Sequence, residues 1–199
     1  MSKDSIVSLY TEHALLFDSL RGRALPERAW LDRFLSHVHP GGTILDIGCG
    51  TGEPIARYVL ERGFHVVGLD AAPSMIALCR TRFPDAEWLV GNMTELALDR
   101  TFDGVLAWDS FFHLGMAEQR AMFQRFAAHA KPTAPLMFTS GPDEGEAIGT
   151  FGNQPLYHAS LSQREYTQLL ERNGFVVREH MVNDPDCGHH TVWLATYDT

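Results

Sequence analysis

Apolar positions recur along this chain at two spacings, and the switches between them lay out most of its elements. Leu9, His13, Leu16, Phe17 and Leu20 fall at helical spacing over residues 8–20, and a second stripe, Trp30, Leu31, Phe34, Leu35 and Val38, follows Leu25-Pro26-Glu27. Proline suits the first turn of a helix, so a pair of helices is expected at the start of the chain. Short apolar runs then alternate with helical stripes. Strands are expected over residues 42–48, 65–69, 87–90, 104–108 and 136–139, with helices over 54–62, 73–82 and 117–129. Strand and helix taking turns across short connections is the pattern of a mostly parallel sheet with helices on both faces. Ligands of such sheets gather beyond the carboxyl ends of the strands.

The alternation breaks at Gly141. Residues 141–161 hold four glycines and two prolines with little periodicity, and the stretch is longer than an ordinary connection. It reads as a loop and a candidate substrate flap, ordered mainly when a ligand is present. Ser162-Gln-Arg-Glu165 has the form of a capping box, Tyr166, Leu169 and Leu170 form the stripe of the helix behind it, and Asn173-Gly174 ends that helix. Residues 175–182 and 191–197 then read as an antiparallel pair of strands at one end of the sheet. No repeat or linker divides the chain, so one domain over residues 1–199 is expected, with residues 1–40 as a candidate lid.

Composition narrows the function. Hydrophobic residues make up 45% of the 199 positions and charged residues 21%, enough for one well-developed core. The net charge of -9, with no basic cluster, argues against a nucleic-acid substrate. No apolar run approaches the ~20 residues of a membrane span, and the first residues lack a signal-type pattern, so a cytoplasmic protein without a membrane partner is expected. Cys49, Cys79 and Cys187 are odd in number and widely spaced, which fits a reducing compartment.

The densest chemical signal is Leu45-Asp-Ile-Gly-Cys-Gly-Thr-Gly-Glu53, directly after the first strand. Glycines at 48, 50 and 52 let the backbone turn tightly and approach a ligand closely. A dinucleotide fingerprint would need its third glycine at 53, where a glutamate stands beside the helix N-terminus and would repel a pyrophosphate. The Gly-Lys-Ser/Thr of a phosphate loop is absent as well. Asp70 ends the second strand as an exposed carboxylate positioned to accept both hydroxyls of a ribose.

These features, together with Val67-Gly-Leu-Asp70, Pro73-Ser-Met75, Gly91-Asn-Met93, Phe102-Asp-Gly-Val-Leu106 and the segment Leu161 to Phe175, resemble the class I S-adenosylmethionine-dependent methyltransferases, in particular small stand-alone bacterial domains. The resemblance runs from about residue 40 to the end. It implies a Rossmann-like seven-stranded sheet of order 3-2-1-4-5-7-6 with the last inserted strand antiparallel, and S-adenosylmethionine as cofactor. By position, Gly48, Gly50 and Gly52 would border its methionine part, Asp46 would orient its amino group, Asp70 would bind the ribose, and Asn92 and Met93 would flank adenine. Many relatives carry aspartate where Asn92 stands; the amide oxygen can still accept from the adenine amino group.

An acceptor would meet the methyl group near Ala107-Trp-Asp-Ser-Phe-Phe-His113, where Asp109 and His113 are the ionisable residues and so the first candidates for substrate contact or proton removal. His158, near the end of the expected flap, is a third, and Tyr10 could reach the site from a lid helix. His13, Phe17 and Trp30 read as packing residues, and Cys49 lacks the base and orienting partner of a nucleophile. Cys187-Gly-His-His190 is too cramped for a zinc site and reads as hairpin, and Asp143-Glu-Gly-Glu146 as a solvated acidic loop, so no metal is expected. The function expected is methyl transfer to a small-molecule acceptor by direct in-line displacement. Protein or nucleic-acid methyl transfer and a non-catalytic cofactor-binding module are the alternatives; an Asn/Asp-Pro-Pro-Tyr/Phe motif after the fourth strand, which would favour a nucleic-acid substrate, is missing.

Overall fold

The computed structural model describes residues 3–152 and 154–198; the outer ends of the expected domain and Asn153 within the expected loop lie outside the described residues. Three helices open the chain, α1 (Lys3–Glu12), α2 (Ala14–Arg21) and α3 (Arg28–Ser36), followed by β1 (Thr43–Ile47), α4 (Ile55–Glu61), β2 (His65–Asp70), α5 (Pro73–Arg82), β3 (Glu87–Val90), β4 (Gly104–Ala107), α6 (Met116–His129), β5 (Pro135–Ser140), β6 (Gly145–Phe151), β7 (Gln154–Ser160), α7 (Gln163–Arg172), β8 (Phe175–Asp184) and β9 (His190–Tyr197). The main sheet has the order β3-β2-β1-β4-β5-β9-β8. Counting only its own strands, that is 3-2-1-4-5-7-6, as the resemblance implies. β1 to β5 run parallel, and β9 is antiparallel to both of its neighbours.

The continuous apolar runs are explained by burial on both faces. Along β4 and β5, Val105, Ala107, Leu136 and Phe138 pack on one side with Phe123 and Phe126 of α6 and Tyr166 of α7. Leu106, Trp108 and Met137 pack on the other with Trp30, Leu31 and Phe34 of α3, Val59 of α4 and Ile76 of α5. Successive strand residues point to opposite faces, so a strand covered on both has no polar position to spare.

Two expectations are corrected. The first helical stripe is not one helix: His13, at φ -114° and ψ 22°, separates α1 from α2, and Tyr10 and Phe17 meet edge to face across the bend at 5.5 Å. Pro26 and Glu27 form a turn ahead of α3 and not its first turn. The larger correction concerns residues 141–161, which are a two-stranded antiparallel hairpin, β6 with β7, in register from Gly145 opposite Ser160 to Phe151 opposite Gln154. Its alternation is hidden because β6 is exposed almost throughout and carries Gly145, Gly149 and Glu146, so only Leu156, Ala159 and Ser160 of β7 are buried. Phe151 packs on Tyr10, His13 and Phe17, tying the hairpin to the N-terminal helices. The capping box is half formed. Ser162 Oγ accepts from the Glu165 amide at 3.2 Å, but the Glu165 carboxylate pairs with Arg120 instead of returning to the cap.

Candidate active site

The glycine loop is strapped to the end of β2. The amides of Gly48 and Cys49 donate to the Leu69 carbonyl at 2.7 and 3.1 Å, and the Gly50 amide donates to Asp70 Oδ2 at 2.9 Å. Asp70 Oδ1 accepts from the Ala72 amide at 2.8 Å, at the start of α5. Asp70 is therefore not a free strand-end carboxylate: it is half-buried and holds the loop and the next helix. Burial pushes its pKa up, and the two backbone donors oppose that.

The three glycines have separate reasons. Gly48 (φ 77°) passes so close to Ser110 that a Cβ there would lie 2.2 Å from Ser110 Cβ. Gly50 (φ 54°) faces Phe17, 3.4 Å from where its Cβ would be. Gly52 faces away from the cleft; its Cβ would meet Phe83 at 2.9 Å, so its role is helix packing and its expected place beside a ligand is corrected. Glu53 is buried and turns its carboxylate onto Arg57, which neutralises it within one turn and removes the repulsion argued from sequence.

Gly48, Gly50, Asp70, Asn92, Met93, Asp109, Ser110 and His113 line one cleft at the carboxyl ends of β1 to β4, roofed by Ile6, Val7 and Tyr10 of α1 and Phe17 of α2, with an empty volume of about 820 Å³ including its mouth. An ion pair from Asp18 of α2 to Arg82 of α5, at 2.6 and 2.7 Å, and an Asp18 bond to Thr51 Oγ1 at 2.8 Å hold that roof to the loop. Arg82 keeps the Asp18 carboxyl well below the usual range.

Asp46, in β1, is not among the residues that line the cleft. It is buried, no protein donor among the described residues bonds to it, and burial with the nearby charge of Asp70 pushes its pKa up to about 7. The folded state thus binds the proton more tightly than the unfolded one, so this group makes stability fall as pH rises from 3.8 toward about 7. Asp46→Asn should flatten that part of the slope and raise the urea midpoint of the cofactor-free protein at pH 8 but not at pH 4. An unchanged slope would mean that the carboxylate finds a partner in solution.

Asn92 corrects a further expectation. Its Oδ1 accepts from both the amide and the hydroxyl of Thr94 at 3.0 Å. An amide N–H can only donate, which fixes the oxygen there and leaves the Nδ2 group, a donor, for the cleft. Met93 lies beside Gly48 on the same wall.

At the other end stand two histidines in opposite states. His113 Nδ1 lies 3.0 Å from the Tyr157 carbonyl and must carry hydrogen; burial lowers its pKa to about 4, so Nε2 is bare and accepts from the Tyr10 hydroxyl at 3.2 Å. Burial and the charges of Asp109 and Asp70 push Tyr10 up, so it stays a phenol. His190 lies 2.6 Å through Nδ1 from the Cys187 carbonyl and 3.1 Å through Nε2 from Asp109 Oδ2. Both partners are acceptors, an arrangement that favours hydrogen on both nitrogens, the imidazolium form. The Asp109 contact raises its pKa, as that geometry requires. Asp109 itself sits at φ 47°, its amide donating to Thr139 Oγ1 at 2.9 Å.

His158 is not on the cleft wall. It packs behind His113 and Phe112, its Nε2 buried without a hydrogen-bond partner among the described residues, and burial lowers its pKa. The structure thus places Asp109, His113 and Tyr10 on one cleft, as the sequence reading expected, sets His158 one layer behind it, and adds His190, which the sequence reading took for hairpin. Ser110, which seats Gly48 and donates to the Ile47 carbonyl at 2.6 Å, was also missed. Among the described residues no group of His, Cys, Asp and Glu is placed to hold a metal ion.

Comparison with known proteins gives the same picture. A family described as Methyltransferase domain matches residues 44–133. The chain is 35% identical over 176 residues to a cypemycin N-terminal methyltransferase of a Streptomyces species, covering 84% of this chain and 71% of that one. It is 38% identical over 98 residues to a dTDP-3-amino-3,6-dideoxy-alpha-D-glucopyranose N,N-dimethyltransferase of Streptomyces fradiae, a match that covers 48% of this chain and only 38% of the relative. Among solved structures, a 1,6-didemethyltoxoflavin-N1-methyltransferase of Burkholderia thailandensis superposes with a TM-score of 0.76 over 98% of this chain and 88% of its own, at 20% identity, a likeness of fold.

Proposed function

The chain belongs to the class I S-adenosylmethionine-dependent methyltransferases, and on that premise we propose that it methylates an amine nitrogen of a small molecule. The observation that carries the choice of nitrogen is the charge of the cleft. Its wall includes the carboxylates of Asp70 and Asp109, a neutral His113 and a Tyr10 phenol, and no Lys or Arg among the described lining residues. Carboxylate or phosphate acceptors would find no Lys or Arg on that wall, whereas an amine finds acceptors for its N–H groups. The N,N-dimethyltransferase among the relatives agrees with this reading, although other relatives are named O-methyltransferases.

The residues present fit the cofactor. Gly48 and Gly50 line the cleft with backbone alone, Asp46 is a buried carboxylate to which no hydrogen bond is made among the described residues, and Asp70 retains lone pairs on both oxygens for ribose hydroxyls. Asn92 would donate to a ring nitrogen of adenine through Nδ2. Bound there, the cofactor supplies an electrophilic methyl group on a sulfonium. The protein's part is to align the acceptor and exclude water under the roof of α1 and α2. Tyr10 has its proton committed to His113 Nε2, so its phenol oxygen faces the cleft as an acceptor. With Nε2 so occupied and the ring neutral, His113 orients Tyr10 and takes no proton from the substrate. A free amine is nucleophilic without a base.

Calorimetry with S-adenosylmethionine and S-adenosylhomocysteine in the presence of a chelator should show binding of both. Formation of S-adenosylhomocysteine should follow when primary and secondary amines, amino sugars or peptides with a free N-terminus are supplied, and not with the matching alcohols or carboxylates. Turnover on the alcohols alone would refute the choice of nitrogen, and absence of binding by folded protein would refute the whole reading.

A further inference from the structure

We propose that Asp109 and His190 form a charge-reading pair that makes the cleft prefer the sulfonium cofactor over its neutral thioether product, by an amount that His190 sets through its proton. The inference rests on the methyltransferase reading of the site. Methyl transfer removes the positive charge from sulfur, so a wall that senses that charge distinguishes cofactor from product.

Of the two carboxylates lining the cleft, Asp70 is held by backbone amides, which do not titrate. Asp109, at the end of β4, is held by a ring that does. Its left-handed backbone and its amide bond to Thr139 Oγ1 fix where the carboxylate points. With the imidazolium in place the pair is neutral as a whole. After the proton leaves, it carries a full negative charge beside a desolvated cleft, and its pull on a cation grows.

Other groups face His190 from several elements. From the turn before β9, Cys187 offers its carbonyl, and its buried thiol is pushed up to about 12. From the segment before α3, Glu27 is buried and paired with Arg21. Trp108, directly after β4, covers the ring at 5.2 Å. Across the cleft, His113, at about 4, and His158, lowered by burial, are neutral near pH 7, and Tyr10 stays protonated. Asp46, pushed up to about 7, falls in the same range and is not among the residues that line the cleft.

The test compares binding of S-adenosylmethionine and S-adenosylhomocysteine from pH 5.5 to 8.5 by calorimetry, with the His190 ring followed by NMR in each complex. The preference for the sulfonium should rise with pH by on the order of tenfold, about 1.4 kcal/mol. Coupling is reciprocal, so His190 should then titrate about one pH unit lower in the S-adenosylmethionine complex than in the other. His190→Gln, which keeps a donor to Asp109 without a titrating ring, should hold the preference nearly flat and high; Asp109→Asn should lower it throughout and move its rise to lower pH, because His190 loses the partner that raises its pKa. A flat ratio in the parent, or equal His190 titration in the two complexes, overturns the proposal. So does a slope that survives His190→Gln undiminished, which would assign the effect to Asp46. If neither ligand binds, it is the methyltransferase reading that fails.

Discussion

Asp70→Ala is expected to weaken S-adenosylmethionine binding by roughly 30- to 1000-fold, from the loss of about 2 to 4 kcal/mol in hydrogen bonds to a charged acceptor. The same substitution is expected to destabilise the cofactor-free protein. The sequence alone suggests a mainly binding defect, because a carboxylate at a strand end looks expendable for folding. In the structure its two oxygens satisfy the amides of Gly50 and Ala72, and removing them leaves two partly buried donors without an acceptor. Each such orphan costs about 1 to 3 kcal/mol. Urea unfolding should therefore shift along with the binding curve, and the Gly50 and Ala72 amides should lose protection from hydrogen exchange. Asp70→Asn separates the two roles, since its single amide oxygen can satisfy one of those donors and not both. It should fall between parent and alanine in stability while losing most of the cofactor affinity. Parent-like cofactor affinity in Asp70→Ala would remove the ribose assignment, and parent-like stability would show that the loop is held by the Leu69 carbonyl alone.

How much of this was legible in the sequence follows from how local each feature is. The parallel sheet was readable because each of its buried strands is a short unbroken apolar run, and the two-faced packing of Leu106 against Val105 and Ala107 demands that. Gly48 and Asp70 were readable because glycine and aspartate at strand ends have few other reasons to stand there. The hairpin of β6 and β7 was not, since a strand exposed on both faces carries no period-2 signal, and its glycines look like loop. His190 was not readable either: what gives it a role is Asp109, 81 positions away, brought within 3.1 Å by the antiparallel insertion of β9 beside β5. Asn92 shows a subtler limit. Its residue type allows accepting or donating, and only the Thr94 contacts decide which atoms remain. The same holds for the glycine loop, where the motif marks three positions alike and the neighbours separate them.

That separation can be measured at Gly48, where two independent costs are superimposed. An alanine there must adopt φ near 77°, a left-handed conformation costing about 1 to 2 kcal/mol for a residue with a Cβ. Its Cβ must also displace Ser110, whose own Cβ would lie at 2.2 Å and whose hydroxyl is anchored to the Ile47 carbonyl. Overpacking of a fixed neighbour costs typically about 1 to 3 kcal/mol. Gly48→Ala should thus lose about 2 to 5 kcal/mol of stability, and cofactor binding with it, because the loop can relieve the contact only by moving away from Asp70. Ser110→Gly removes the obstructing atoms without touching the backbone angle at Gly48. The double variant should therefore recover the steric part and keep the left-handed part, ending about 1 to 2 kcal/mol below Ser110→Gly itself. Gly52→Ala is the comparison within the same motif: its contact is the ring of Phe83, at 2.9 Å, outside the cleft. It should destabilise the protein without lowering the cofactor affinity of the molecules that remain folded. Equal binding losses at Gly48 and Gly52 would show that the loop responds as one rigid unit, and would remove the distinction between a glycine that faces the ligand and one that faces the helix.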